Sequence, residues 1–249
     1  MKKILYLGLA LCTLAACKKK KDDVIPPTPV VQVPKIKTLT IGGDAVNYTY
    51  DAQGRILTRV NPTSNWRYEF VYNGNTVTEN YFIGTTLSTT KVYELNANGL
   101  VIKEGYSFPA GSIPYKSIYT YNANNQVASI VRSNTINSNG NTETYFYTGT
   151  MLDSSRTTFS TNSDLHRFWY SYFTDKTNTI AYKNQGYLFF ADEGTMPIKK
   201  IISIFKTGNF FNTQVDDYTY LFDAENRITK RTITTAGGGG SSVNDVTYY

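Results

Sequence analysis

"YTYDAQGRIL", residues 48–57, recurs as "YTYNANNQVA" at 119–128 and as "YTYLFDAENRIT" at 218–229. Tyr48 and Tyr50 fall on one side of an extended chain and Thr49 on the other, as the period of two in a strand requires. Asp51 then opens a turn. An Asp or Asn there bonds its own backbone two residues on, and Gly54 accepts the positive φ of a type I turn with a bulge. The same rule holds at Asn96-Ala97-Asn98-Gly99, Asn122-Ala123-Asn124-Asn125 and Asp223-Ala224-Glu225-Asn226. Asparagine, the next residue most tolerant of the left-handed region, replaces glycine at Asn125 and Asn226.

Looser copies turn at Asn73-Gly74, Thr148-Gly149 and near Asp175. The turn starts Asp51, Asn73, Asn96, Asn122, Thr148, Asp175 and Asp223 lie 22, 23, 26, 26, 27 and 48 residues apart. The last gap is about double, and "IFKTGNFF" is placed to supply the missing hairpin. Short turns at this period predict an antiparallel meander of roughly 15 to 18 strands. So many twisted strands in one sheet must curl, split or close. The expected fold is therefore all-β, an up-and-down meander forming one large barrel-like sheet, with a β-sandwich as the alternative. No window shows a sustained helical spacing of apolar residues.

The chain ends carry a different message. Lys2 and Lys3, an apolar stretch from Ile4 to Thr13, and small residues lead to Cys17. "LAAC", residues 14–17, resembles the lipobox of bacterial lipoproteins, which implies that Cys17 is acylated and residues 1–17 are a signal peptide. Lys21, Asp22 and Asp23 are similar to the signal that sends some Bacteroidetes-type lipoproteins to the cell surface; a solvated tether is the alternative reading. Pro26, Pro27, Pro29 and Pro34 favour an extended spacer, so 18–35 reads as a tether and 36–249 as a single β domain. The other cysteine, Cys12, lies inside the signal segment, which leaves the domain without a disulfide.

Formal net charge is +6. Setting aside the seven lysines up to Lys35 and the acids Asp22 and Asp23 leaves 18 Lys and Arg against 17 Asp and Glu. A near-neutral domain offers no basic stripe for phosphates, so nucleic acid is not an expected partner.

"YTYDAQGRI" and "DAENRITKR" also resemble the tyrosine-aspartate repeats of RHS proteins. Asp51, Gly54, Arg55 and Ile56 match the turn of that pattern in the first copy, and Asp223, Asn226, Arg227 and Ile228 in the last. Gln126 and Leu100 stand where the arginine would be. The whole layout is similar to that of Bacteroidetes lipoproteins of unknown function with a porin-like β fold, which implies an architecture and no known site.

Chemistry is sparse. His166 is the single histidine, which excludes His-rich metal sites, and no nucleophile elbow, phosphate loop or dinucleotide fingerprint is present. Carboxylate pairs suited to glycoside hydrolysis need no motif. Of the two visible clusters, Asp192-Glu193 reads as a turn, and Asp216-Asp217 as strand neighbours facing opposite ways. No cofactor is expected, and the chain is read as a non-enzyme. "RFWYSYF" at 167–173 and "YLFF" at 187–190 read as strands with rings on both faces; one face is core, and a sugar, a second protein or a covering loop would satisfy the other. Trp169, and Trp66 beside the "NPTSN" turn, are the candidate ligand contacts. Thr58, Lys91, Glu94, Lys103, Arg132 and Lys230 together suggest a lumenal face.

The expected function is thus a lipid-anchored outer-membrane protein, a candidate for the cell surface, that binds or scaffolds a glycan or envelope protein. The alternatives are an integral porin-like barrel and a carboxylate-dependent glycoside hydrolase.

Overall fold

The computed structural model describes residues 34–107, 115–134, 140–160, 164–185, 187–191, 194, 196–237 and 239–249. Cys17, Lys21, Asp22, Asp23 and the Asp192-Glu193 pair lie outside these residues, as does nearly all of the tether. Sixteen strands follow one another along the chain. The first eight are β1 (Ile36–Ile41), β2 (Asp44–Tyr50), β3 (Ile56–Asn61), β4 (Trp66–Asn73), β5 (Thr76–Ile83), β6 (Thr86–Leu95), β7 (Val101–Ser107) and β8 (Tyr115–Tyr121). The rest are β9 (Val127–Asn134), β10 (Asn141–Thr148), β11 (Met151–Phe159), β12 (Leu165–Tyr172), β13 (Ile198–Thr207), β14 (Phe210–Phe222), β15 (Ile228–Thr235) and β16 (Ser241–Tyr248).

Each strand pairs antiparallel with the next, and β16 returns to β1 with Ile36 opposite Tyr248 and Ile41 opposite Asn244. The sheet is one closed barrel, so no strand edge is left unpaired. "IFKTGNFF" does form the expected hairpin, between β13 and β14.

Architecture is what the repeat encodes. Asp51 Oδ1 accepts from the amides of Gln53 and Arg55 at 3.0 and 2.8 Å, while the Gly54 amide donates to Asp51 O at 2.9 Å with Gly54 at φ 73°. Asn96, Asn122 and Asp223 repeat these side-chain bonds, and Asn125 and Asn226 both sit at φ 58°. Arg55 and Arg227 fold back onto their aspartates at 2.6 and 2.7 Å. In the copy with Gln126 in the arginine's place, Asn122 Nδ2 donates to Gln126 Oε1 at 2.7 Å, a neutral version of the same clasp.

The second tyrosine has a long-range task. Ladder register shifts beside it at Thr49/Tyr50 and Thr120/Tyr121 turn the residues after the Asx turns, Ile56 and Val127, inward, and a third shift, at Ser171/Tyr172, lies opposite Ile198. Tyr hydroxyls then bridge between strands at this end of the barrel: Tyr50 donates to Ile36 O at 2.7 Å, Tyr121 to Val101 O at 2.6 Å and Tyr248 to Ile228 O at 2.8 Å. Tyr72, Tyr172 and Tyr220 do the same to Ile56, Leu152 and Ile198. Each bond ties the start of an odd-numbered strand to the end of the next even one. Tyr121→Phe should therefore cost about 0.5–1.5 kcal/mol in chemical denaturation. Tyr147→Phe, whose hydroxyl bonds no described residue, should cost less than about 0.5 kcal/mol.

One segment departs from the hairpin rule. After the turn near Asp175 the chain does not pair; it enters the lumen and leaves at Pro197, whose carbonyl accepts from the Phe173 amide at 3.0 Å. "YLFF" is thus not a strand, contrary to the reading from sequence. Its rings fill the barrel: Phe189 is 4.9 Å from Tyr93 and Tyr187 is 5.4 Å from Phe70, in a core with Ile36, Val46, Ile56, Val77 and Val101. The plug also satisfies amides that the bulges turn away from the ladder. Ile36 N donates to Asn184 O at 3.1 Å, Val101 N to Phe189 O at 2.9 Å and Ile228 N to Thr179 Oγ1 at 2.8 Å. An unpaired buried amide would cost about 1–3 kcal/mol, so plug and bulges stabilise each other.

Candidate binding cavity

Because alternate side chains face inward, the barrel lumen collects one face of every strand. On the β1–β5 side that face is covered by the plug. From β6 round to β15 it bounds a cavity of about 710 Å³, with Ile180, Tyr182 and Phe190 of the plug as its floor. Tyrosines dominate the wall, among them Tyr119, Tyr145, Tyr147, Tyr170, Tyr218 and Tyr220. Desolvation raises their hydroxyl pKa values, and Tyr121 and Tyr147 are pushed up to about 12, so these hydroxyls stay protonated at physiological pH.

Lys91, Glu104 and Arg132 line the same space, and the inward-facing acids are bonded to cations or tyrosines at or beside it. Lys91 Nζ lies 3.2 Å from Glu104, whose other oxygen accepts from Tyr119 at 2.5 Å. Tyr93 donates to Glu79 at 2.7 Å, and Arg132 pairs with Glu143 at 2.8 Å. Burial alone would lower the Lys91 pKa, but Glu79 and Glu104 overcome it and hold the ammonium above its ordinary value. Arg231 differs. With the Asn244 amide oriented so that its oxygen faces the guanidinium, Nε and Nη2 donate to it at 3.0 and 2.6 Å, and no carboxylate among the described residues pairs with Arg231.

The residues singled out in the sequence do not converge. Trp66 is not an exposed contact: it points into the barrel, edge-on to Tyr68 at 5.5 Å and under Arg59 at 5.6 Å. Trp169 sits on the outer wall, 36% exposed, opposite Ile202. Neither lines the cavity. Of the proposed lumenal group, Lys91 and Arg132 do face inward, whereas Glu94, Lys103 and Lys230 form ion pairs on the outside and Thr58 joins Thr49 there at 2.7 Å. His166 is wedged between Phe159 and Phe205, with ring centroids 4.9 and 4.8 Å away. Asp216 faces inward onto Thr235 and Gln214, and Asp217 outward onto Lys200, so the two never act as a pair. Among the described residues no group of three or more His, Cys, Asp or Glu converges on a point. Apart from Tyr106 and Tyr182, the cavity tyrosines are visible in the sequence as Tyr-x-Tyr pairs; what was hidden is that the inward face is left partly unfilled.

Comparison with known proteins fits this geometry. The crystal structure of a porin-like protein from Bacteroides uniformis superposes with a TM-score of 0.64, at 12% identity, over 86% of this chain and 96% of that one. The chain thus has a porin-like fold, a sixteen-stranded antiparallel barrel. A TcdB2-TccC3-Cdc42 structure aligns with 79% of this chain and 12% of its own at 11% identity, and its TM-score of 0.32 carries no weight. No protein-family model matches the sequence, and no curated protein does.

Proposed function

We propose that the protein is a lipid-anchored, non-catalytic envelope lipoprotein whose barrel stands in water and holds a saccharide in its lumen. The observation that carries the reading is the contrast between the two faces. Outside, Arg67–Glu69, Lys103–Glu94, Lys200–Asp217 and Lys230–Asp245 are ion pairs with side chains between about a third and over half exposed. Placing a Lys or Arg against lipid costs about 2–4 kcal/mol at the bilayer midplane, so several together would exceed the stability of an ordinary domain. Inside, a tyrosine-walled cavity supplies flat apolar rings and hydroxyls together, the combination that stacks on a sugar's C–H face and bonds its rim. Glu79, Glu104 and Glu143 are each held by a cation or a tyrosine and Asp216 by Gln214 and Thr235, an arrangement that suits binding better than paired acid and base work.

Anchoring is tested by palmitate labelling of cells. Label should enter the wild-type chain and vanish from Cys17→Ala, and persistence of label in the variant would contradict the anchor. Binding is tested by a glycan array run beside affinity purification from the native envelope; retention of saccharides supports the lumen as the site, whereas capture of protein partners alone would move the site to the outer wall around Trp169.

A second reading is an integral outer-membrane barrel, favoured by the porin-like fold and by the closed sixteen-strand sheet. It requires ion conductance in planar bilayers, and none is expected.

A further inference from the structure

We propose that the lumenal cavity selects an anionic saccharide and that Arg231 is the residue that selects it. The inference rests on the lumen being a saccharide site. Of the cations facing the lumen, Lys91 is neutralised by Glu104, Arg132 by Glu143, and Arg59 is covered by the rings of Tyr68 at 4.2 Å and Trp66 at 5.6 Å. Arg231 lines the cavity with its charge unmatched by any carboxylate among the described residues. Of the two acids flanking the cavity wall, Glu143 pairs with Arg132, and Asp216 accepts from Gln214 and Thr235 and forms no ion pair with Arg231.

The geometry is that of a preset anion clamp. Asn244, 2% exposed, fixes the guanidinium plane by accepting from Nε and Nη2 in that orientation, and Nη1 bonds no described residue. A planar donor fork held in one orientation suits a carboxylate or sulfate better than a mobile ammonium would. Tyr220 lies directly across the ladder from Arg231, and Tyr218 lies on the same inward face of β14 with a hydroxyl that bonds no described residue. A cation partly withdrawn from water without a counter-charge is costly, and an incoming anion removes that cost. A cavity of about 710 Å³ is within the range that encloses small ligands, and its wall of rings and hydroxyls, with aliphatic side chains in the minority, suits a sugar rather than an acyl chain.

The test is titration calorimetry on the full chain isolated from membranes in mild detergent, with digalacturonate, a sulfated digalactoside and the matched neutral digalactoside as probes. Binding of one or both acidic probes should be at least about tenfold tighter than that of the neutral one and should weaken as salt rises. Arg231→Gln should bring the acidic probe down to the level of the neutral one, with Arg231→Lys in between. The sulfated and carboxylated arms tell which anion the site takes. Should Arg231→Gln fold poorly, judged by its melting transition, Tyr218→Phe in the wild-type background gives an independent reading, with an expected loss of several-fold for the acidic probe. Equal binding of neutral and acidic probes, or acidic binding indifferent to Arg231 and to salt, would overturn the inference while keeping the lumenal site. Failure of all three probes to bind would overturn the lumenal saccharide site itself.

Discussion

Raising the pH from about 10 to about 11 should unfold the barrel in one cooperative step, because an unfolded tyrosine ionises near pH 10 and a buried one does not. Burial is the first cause of the raised pKa at Tyr48, Tyr93 and Tyr187, and the Glu79 carboxylate adds to it at Tyr93. Folded-state pKa values above the unfolded one mean that the stabilisation is complete below pH 10 and is lost as pH climbs toward the folded values. Each such residue then removes about 1.4 kcal/mol per pH unit, so these three alone remove roughly 4 kcal/mol per unit. Lys91, whose pKa is also raised, loses its contribution in the same direction. Many further lumenal tyrosines share the shift, including Tyr145, Tyr170 and Tyr220. A domain with about 5–15 kcal/mol of stability cannot absorb that sum. Near-ultraviolet tyrosinate absorbance and far-ultraviolet circular dichroism should change together over this interval. Gradual ionisation of most tyrosines at their ordinary pKa with the strands intact would show that the hydroxyls are not held as described.

Phe189→Ala should destabilise the protein by about 3–5 kcal/mol in equilibrium urea unfolding, the usual cost of deleting a buried phenyl ring. Phe189 is 3% exposed, in ring contact with Tyr93 and Phe190 at 4.9 Å each, and its carbonyl accepts from Val101. The loss should be cooperative with the whole barrel, because the plug bonds β1, β7 and β15 as well as filling the space between them. Phe210→Ala, at a ring that is 83% exposed, should change stability by less than about 0.5 kcal/mol. Comparable losses at the two sites, or a Phe189→Ala variant as stable as wild type, would mean that the plug is not part of the core.

These two predictions mark the boundary of what the sequence could disclose. The Asx turns were legible because their chemistry is local: Asp51 reaches only as far as Arg55. The hairpin order followed from the turns, including the hairpin hidden in "IFKTGNFF". Which tyrosine faces the lumen followed from alternation, but the partner of its hydroxyl did not, since Tyr121 reaches back 20 residues to Val101 and Tyr50 back 14 to Ile36. The plug was illegible for a different reason. A segment buried inside a lumen is surrounded on all sides and has no two-residue or 3.6-residue rhythm, so "YLFF" looked like a strand with two apolar faces. The same ambiguity placed Lys103 and Lys91 in one group, although the bulge between Glu94 and Leu95 and the pleat send them to opposite sides of the wall. Arg231 drew no attention because its isolation is a property of three dimensions: nothing in "NRITKRTITT" shows that its neighbours across the ladder are Tyr220 and Asn244.

The central claim is that the outer wall of this barrel faces water and that its tyrosine-lined interior, not its exterior, is the working surface. Sedimentation velocity on residues 34–249, produced and purified without detergent, tests the first half directly and conditions the second. A single monomeric species with β-rich circular dichroism is the predicted result. Aggregation that only micelles reverse, with the same chain then conducting ions across a bilayer, would contradict it and place the Lys103–Glu94 and Lys200–Asp217 wall in lipid.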